Sequence, residues 1–83
     1  MGLEKNNSED GIIVYPNPAE EIVNVRVGVS GKIEFYNLLG AIVETQQLAI
    51  GTNEVDLKGL PSGIYFFVFS TGSDAVTGKI IKQ

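Results

Sequence analysis

Ten glycines and three prolines punctuate this chain so evenly that its longest stretch free of both, Ala41 to Ile50, is ten residues. An average α-helix takes about 11 to 12 residues, so helices have almost nowhere to form. Strands fit the gaps instead, with turn chemistry about every ten residues. Val, Ile and Thr supply 22 of the 83 residues, and these β-branched types suit a pleated, half-buried surface. An apolar share of 43% is enough for the chain to fold. The length leaves room for one domain.

Read along the chain, Ile12-Ile13-Val14-Tyr15 is a strand stopped by Pro16-Asn17-Pro18, where two prolines remove backbone donors. Glu21 to Val27 alternates and places Val23, Val25 and Val27 on one face. Lys32 to Asn37 turns Ile33 and Phe35 inward and Lys32 and Glu34 outward. Asn37-Leu38-Leu39-Gly40 then closes a hairpin in which Gly40 supplies a positive φ. Ala41 to Leu48 returns as a strand with Val43 as its core residue; a helix there would leave the neighbouring edge unpaired. Thr52 to Leu57 points Val55 and Leu57 inward, and Leu60-Pro61-Ser62-Gly63 turns the chain again. Gly63 to Ser70 carries six consecutive apolar residues, the pattern of a central strand covered on both faces. Its Tyr65, Phe67 and Phe69 share the core face. Thr71-Gly72-Ser73-Asp74 forms the last turn before a strand from Ala75 to Lys82. The expected fold is all-β: a small antiparallel immunoglobulin-like sandwich of about seven strands. It spans residues 11–83, and the polar residues 1–10 read as a linker remnant behind an expression start.

Composition excludes most chemistry. With no His and no Cys, the chain can build no Ser/His/Asp triad, thiolate nucleophile or Cys/His zinc site. A net charge of -4 lacks the basic footprint that nucleic acid or anionic lipid requires. The six-residue apolar run is far short of a membrane span. Glu20-Glu21 is an adjacent acidic pair, and neighbours in a strand point to opposite faces. Asp56 and Asp74 lie near loops, without the spacing of a calcium loop. The glycines stand singly as turn residues and do not form a phosphate cradle. No catalytic residue, metal ligand or cofactor is therefore expected. Tyr15 and Tyr36 offer the alternative of a sugar-stacking platform, in which case the domain would be a carbohydrate-binding or adhesive module on a secreted enzyme.

Four segments carry a resemblance: Val14-Tyr15-Pro16-Asn17-Pro18, Phe35-Tyr36-Asn37-Leu38-Leu39-Gly40 followed by Val43, Leu60-Pro61-Ser62-Gly63-Ile64-Tyr65, and Gly78-Lys79-Ile80-Ile81-Lys82-Gln83. In this order they resemble the type A C-terminal sorting domain carried by cargo of the type IX (Por) secretion system in Bacteroidetes. By position, Pro16, Asn17 and Pro18 match the opening turn of that family and Gly40 its hairpin glycine. Leu60, Gly63 and Tyr65 match the late-strand motif, and Lys79 and Lys82 the basic positions of the closing strand.

The resemblance implies a secretion signal and not an enzyme. Its partners would be the type IX machinery, a covalently linked N-terminal cargo and a sortase-like peptidase that removes the domain. The route would run through the periplasm to the outer-membrane surface or the medium. Relatives often show more basic residues near the end, whereas here Thr77-Gly78 precedes a single Lys79. Shape and the closing strand are then better signals than charge density. The expected mechanism is edge pairing of a receptor strand with Ala75 to Gln83, Lys79 and Lys82 setting the register. Cleavage is expected in extended backbone near Asn6 to Gly11.

Overall fold

A computed structural model describes the chain from Gly11 to Gln83, so the linker expected over residues 1–10 lies outside the described residues. Seven strands run in order: β1 (Ile12–Tyr15), β2 (Ile22–Val27), β3 (Gly31–Tyr36), β4 (Ile42–Leu48), β5 (Gly51–Asp56), β6 (Gly63–Ser70) and β7 (Ala75–Lys82). They form a three-stranded sheet, β1-β2-β5, and a four-stranded sheet, β4-β3-β6-β7. All strand pairs within the two sheets are antiparallel. β1, β2 and β5 take the places of strands A, B and E of an immunoglobulin-like sandwich, and β4, β3, β6 and β7 those of C′, C, F and G. The expected all-β sandwich is the fold found.

Alternation sends every second residue between the sheets. Val23, Val25, Val27 and Val55 come from one side; Ile33, Phe35, Phe67, Phe69 and Ile80 come from the other, all buried. Each such side chain contributes about 1.5–3 kcal/mol relative to an exposed position. Phe35 and Phe67 are cross-strand partners whose rings lie 6.1 Å apart and tilted by 54°. Gly78 sits opposite Phe67 because the ring lies where a Cβ would stand.

Three expectations change. β6 is central in its sheet, but only its inner face is covered. Ile64 and Phe66 on the outer face are 38% and 43% exposed. Its unbroken apolar run therefore reflects an apolar surface, not a third layer. Val43 is only partly buried, because the β3–β4 register shifts between Phe35 and Tyr36 and makes it the extra residue of a bulge. Leu48 is the buried residue of β4 instead. Glu20 and Glu21 lie in the turn before β2 and not in the strand itself.

The same β3–β4 register sets Glu44 and Gln46 opposite the inward Phe35 and Ile33. Polar residues thus line the inner side of this edge, a pattern that discourages edge-to-edge pairing. Gln46 Nε2 crosses to the other sheet and donates to the Glu54 carbonyl at 3.1 Å. This closes the β4/β5 side of the sandwich.

Candidate functional site

The four resembling segments, scattered from Val14 to Gln83, meet at one end of the sandwich. Tyr15 pairs near the start of β2, Tyr36 lies opposite both Ile42 and Phe66, and Gly63 lies opposite Lys82. Antiparallel pairing therefore collects the turns after β1, β3 and β5 with the end of β7. Gly11 lies at the far end, where its carbonyl accepts from the Gly28 N–H at 3.1 Å. We call these the motif end and the entry end.

At the motif end the segment after β1 lies along the outer edge of β7. The Ile81 N–H donates to Asn17 Oδ1 at 3.0 Å, and Asn17 Nδ2 donates to the Lys79 carbonyl at 3.2 Å. Ala19 continues the contact as a parallel bridge: its N–H donates to the Ile81 carbonyl at 2.7 Å and its carbonyl accepts from the Gln83 N–H at 2.8 Å. One side-chain amide thus does the work of a strand backbone. Pro16 and Pro18 flank Asn17, both after cis peptide bonds.

Because Ile81 directs its backbone outward, alternation directs Thr77 and Ala75 outward as well. Among the described residues, the outward groups of Thr77 and Ala75 have no backbone partner. The β7 edge is thus, among the described residues, held from Lys79 to Gln83 and open before it. Beside the open half runs a cleft of about 850 Å³ whose walls include Phe69, Ala75 and Val76 from this sheet and Gly11 and Val29 from the entry end.

Lys79 and Lys82 lie on opposite sides of β7. Lys79 is exposed beside its partner Phe66, while Lys82 faces inward and is only 8% exposed. Its aliphatic stem packs into the end of the sandwich.

The remaining motif residues hold turns. The Tyr65 hydroxyl donates to the Pro61 carbonyl at 2.5 Å, a tyrosine corner at the crossover from β5 to β6. Leu60 packs against the core there, and its N–H donates to the Leu57 carbonyl at 3.0 Å. Gly40 has φ of 86°, as the hairpin required. Asn37 Oδ1 accepts from the N–H groups of Leu39 and Ala41 at 2.9 and 3.0 Å. The capping role of Asn37 is a local Asx pattern visible in principle from sequence. Nothing local marks Ala19 as a strand partner.

Among the described residues, electrostatic contacts are sparse on the outer face of the larger sheet. Glu34 accepts from the Tyr36 hydroxyl at 3.1 Å and lies 3.6 Å from Lys32 Nζ. The hydrogen bond to Glu34, with partial burial and the nearby carboxylate charge, raises the Tyr36 pKa above its ordinary value. Asp56 and Asp74 sit at opposite ends; Asp56 Oδ1 accepts from the Lys58 N–H at 2.8 Å. Among the described residues no cluster of three acidic groups could hold a metal ion. Tyr15 belongs to the outer face of the smaller sheet and Tyr36 to that of the larger one, so they form no common platform.

A comparison with curated proteins finds no match. The model of the secretion system C-terminal sorting domain family matches residues 13–83, all of the sandwich but its first two described residues. The four segments gathered at the motif end thus sit in a chain that belongs to the secretion system C-terminal sorting domain family.

Proposed function

We propose that this domain is the export address of a longer secreted protein, read through the open half of the β7 edge. An attached N-terminal cargo is carried through the periplasm and across the outer membrane by type IX secretion, and a sortase-like peptidase then removes the domain. The observation that carries the reading is the edge of β7, held at the motif end and without a partner toward the entry end among the described residues. Strand addition needs unpaired N–H and C=O groups in a row, and Ala75 to Thr77 offers them together with the free N–H side of Lys79. This narrows the stretch expected to be gripped, Ala75 to Gln83, to its first half. Lys79 sets the register in this scheme; the inward Lys82 instead anchors the strand. Cleavage falls in the backbone ahead of the fold, between Asn6 and Gly11, of which only Gly11 is within the described residues.

Thr77→Pro in a cargo fusion tests the reading. The Thr77 N–H points away from β6, so proline removes the docking donor and leaves the ladder to β6 intact. Losing one or two partner hydrogen bonds should lower surface delivery about tenfold, with melting behaviour unchanged and cargo retained in the periplasm. Normal delivery would exclude edge pairing. Deleting Lys79 to Gln83 should also trap the cargo. Mass spectrometry of the released domain locates the cut, and a cut between Ile22 and Leu57 would contradict the linker assignment.

A further inference from the structure

Exposed apolar side chains crowd one end of this molecule. Of the ten large hydrophobics exposed among the described residues, all but Val29 and Ile50 lie at the motif end. Six of these belong to the four-stranded sheet or its β3–β4 turn: Leu38, Leu39, Ile42, Ile64, Phe66 and Ile81. The register sets Ile42, Tyr36, Phe66 and Lys79 side by side across β4, β3, β6 and β7, with Ile64 opposite Ile81 in the next row. At the adjoining hairpin tip Leu39 is 93% exposed. Asn37 fixes that tip, and the Tyr65 corner fixes the start of β6, so the face is rigid before any partner arrives. Together these residues expose roughly 500 Å² of apolar surface, near the upper end of what a monomer carries without an interaction partner.

Charge and area select the occupant. Glu34 is engaged by Lys32 and Tyr36, whereas Lys79, beside Phe66, makes no ion pair among the described residues. Among the described residues the face is therefore apolar with one positive charge, Lys79, without an ion-pair partner at its edge. A second copy would bring another Lys79 and another acidic body, on a patch short of the roughly 800 Å² per partner that a stable pairing needs. A sugar would need polar groups matched to its hydroxyls, and here branched aliphatic side chains surround the rings. The cargo enters at the opposite end, through Gly11.

We propose that this face docks an apolar protein surface that bears a carboxylate opposite Lys79, on a component of the export machinery. The inference rests on the sorting role proposed above and adds a second contact to the β7 edge. The two contacts meet at Lys79, one on this face and one along β7 toward the entry end, and together would bury more area than either alone.

The test uses the full cargo fusion. Phe66→Gln and Lys79→Glu should each lower surface delivery about tenfold, the loss expected for a central interface residue, without changing the melting temperature. Ile13→Gln, on the outer face of the other sheet, should leave delivery normal. A photo-crosslinking residue at position 39 should join the fusion to one machinery component beside a carboxylate. Replacing that carboxylate by Lys should restore delivery of Lys79→Glu. Normal delivery of Phe66→Gln would overturn the proposal. So would a Phe66-dependent dimer in analytical ultracentrifugation, or Phe66-dependent binding to a glycan array or to anionic phospholipid vesicles. If the Lys79–Gln83 deletion is itself delivered normally, the sorting role fails; if it is trapped while Phe66→Gln is delivered, only the docking face fails.

Discussion

The two ends of this sandwich solve different problems. At the entry end the connections are glycine-rich, with Gly11, Gly28, Gly31, Gly51 and Gly72 at or beside strand ends, and a broad cleft lies between the sheets. Side chains hold turns at both ends: Asn53 bonds Ala49 and Thr71 bonds Asp74 at the entry end, while at the motif end Asn17 braces β7, Asn37 its hairpin and Tyr65 its corner. Six of the residues exposing apolar surface stand on or beside that braced frame. Any such brace stabilises the fold, by about 1 kcal/mol for each hydrogen bond, so what matters here is a second benefit. An end that must present a fixed shape to a partner gains further, because ordering completed during folding need not be repeated on binding.

The largest effect is expected in the middle that both ends share. Gly78→Val would drive a side chain into the Phe67 ring, and overpacking of this kind costs about 1–3 kcal/mol or more. Chemical denaturation should show that loss; wild-type stability would mean the close approach of β7 to Phe67 is relaxed. Next in size is Tyr65→Phe, which leaves the ring in place and the Pro61 carbonyl without its donor. About 1–2 kcal/mol should go, in line with a buried hydrogen bond, and no loss would deny the corner its structural role.

Asn17→Ala should cost about 1 kcal/mol and sharpens the contrast between the ends. Hydrogen exchange should quicken at the Ile81 amide, while the Gly28 amide, bonded to Gly11 at the entry end, should keep its protection. Equal effects at both amides would show that Asn17 stabilises the whole sandwich and not the β7 edge.

The smallest effect is a titration. The fold favours the protonated Tyr36 phenol, so this contribution is complete below the ordinary value of 10.0 and is lost as pH rises through the higher folded value. Glu34→Gln replaces the carboxylate that accepts the phenol's hydrogen bond and removes its charge. Ultraviolet titration of the phenolate should then show the midpoint falling toward 10.0; an unchanged midpoint would remove Glu34 as the cause.

Much of the fold was legible because its causes are local. Gly and Pro cut the chain, two-residue alternation oriented Val23, Val25, Ile33, Phe35, Val55 and Leu57, and Gly40 marked its turn. The misjudged positions depended on neighbours distant in sequence. An apolar run reads the same whether its second face meets another layer or solvent, so β6 could not reveal the exposure of Phe66. Val43 lost its core place to a bulge that belongs to pairing and not to composition. The resembling motifs could be recognised as words, but their placement at a common end required the strand register.

Local sequence was enough to set the number and kind of elements, the inward face of most strands, and the absence of the side chains that catalysis by His or Cys would need. Only the tertiary structure decided that Asn17 reaches β7 across more than sixty residues of chain. It also decided that Lys82 turns inward while Lys79 stays out, and that the exposed face of β6 joins the β3–β4 tip. The physical reason is the range of the interactions. Strand propensity and turn chemistry act between neighbours, whereas edge capping and the building of a surface depend on which distant backbones are brought side by side.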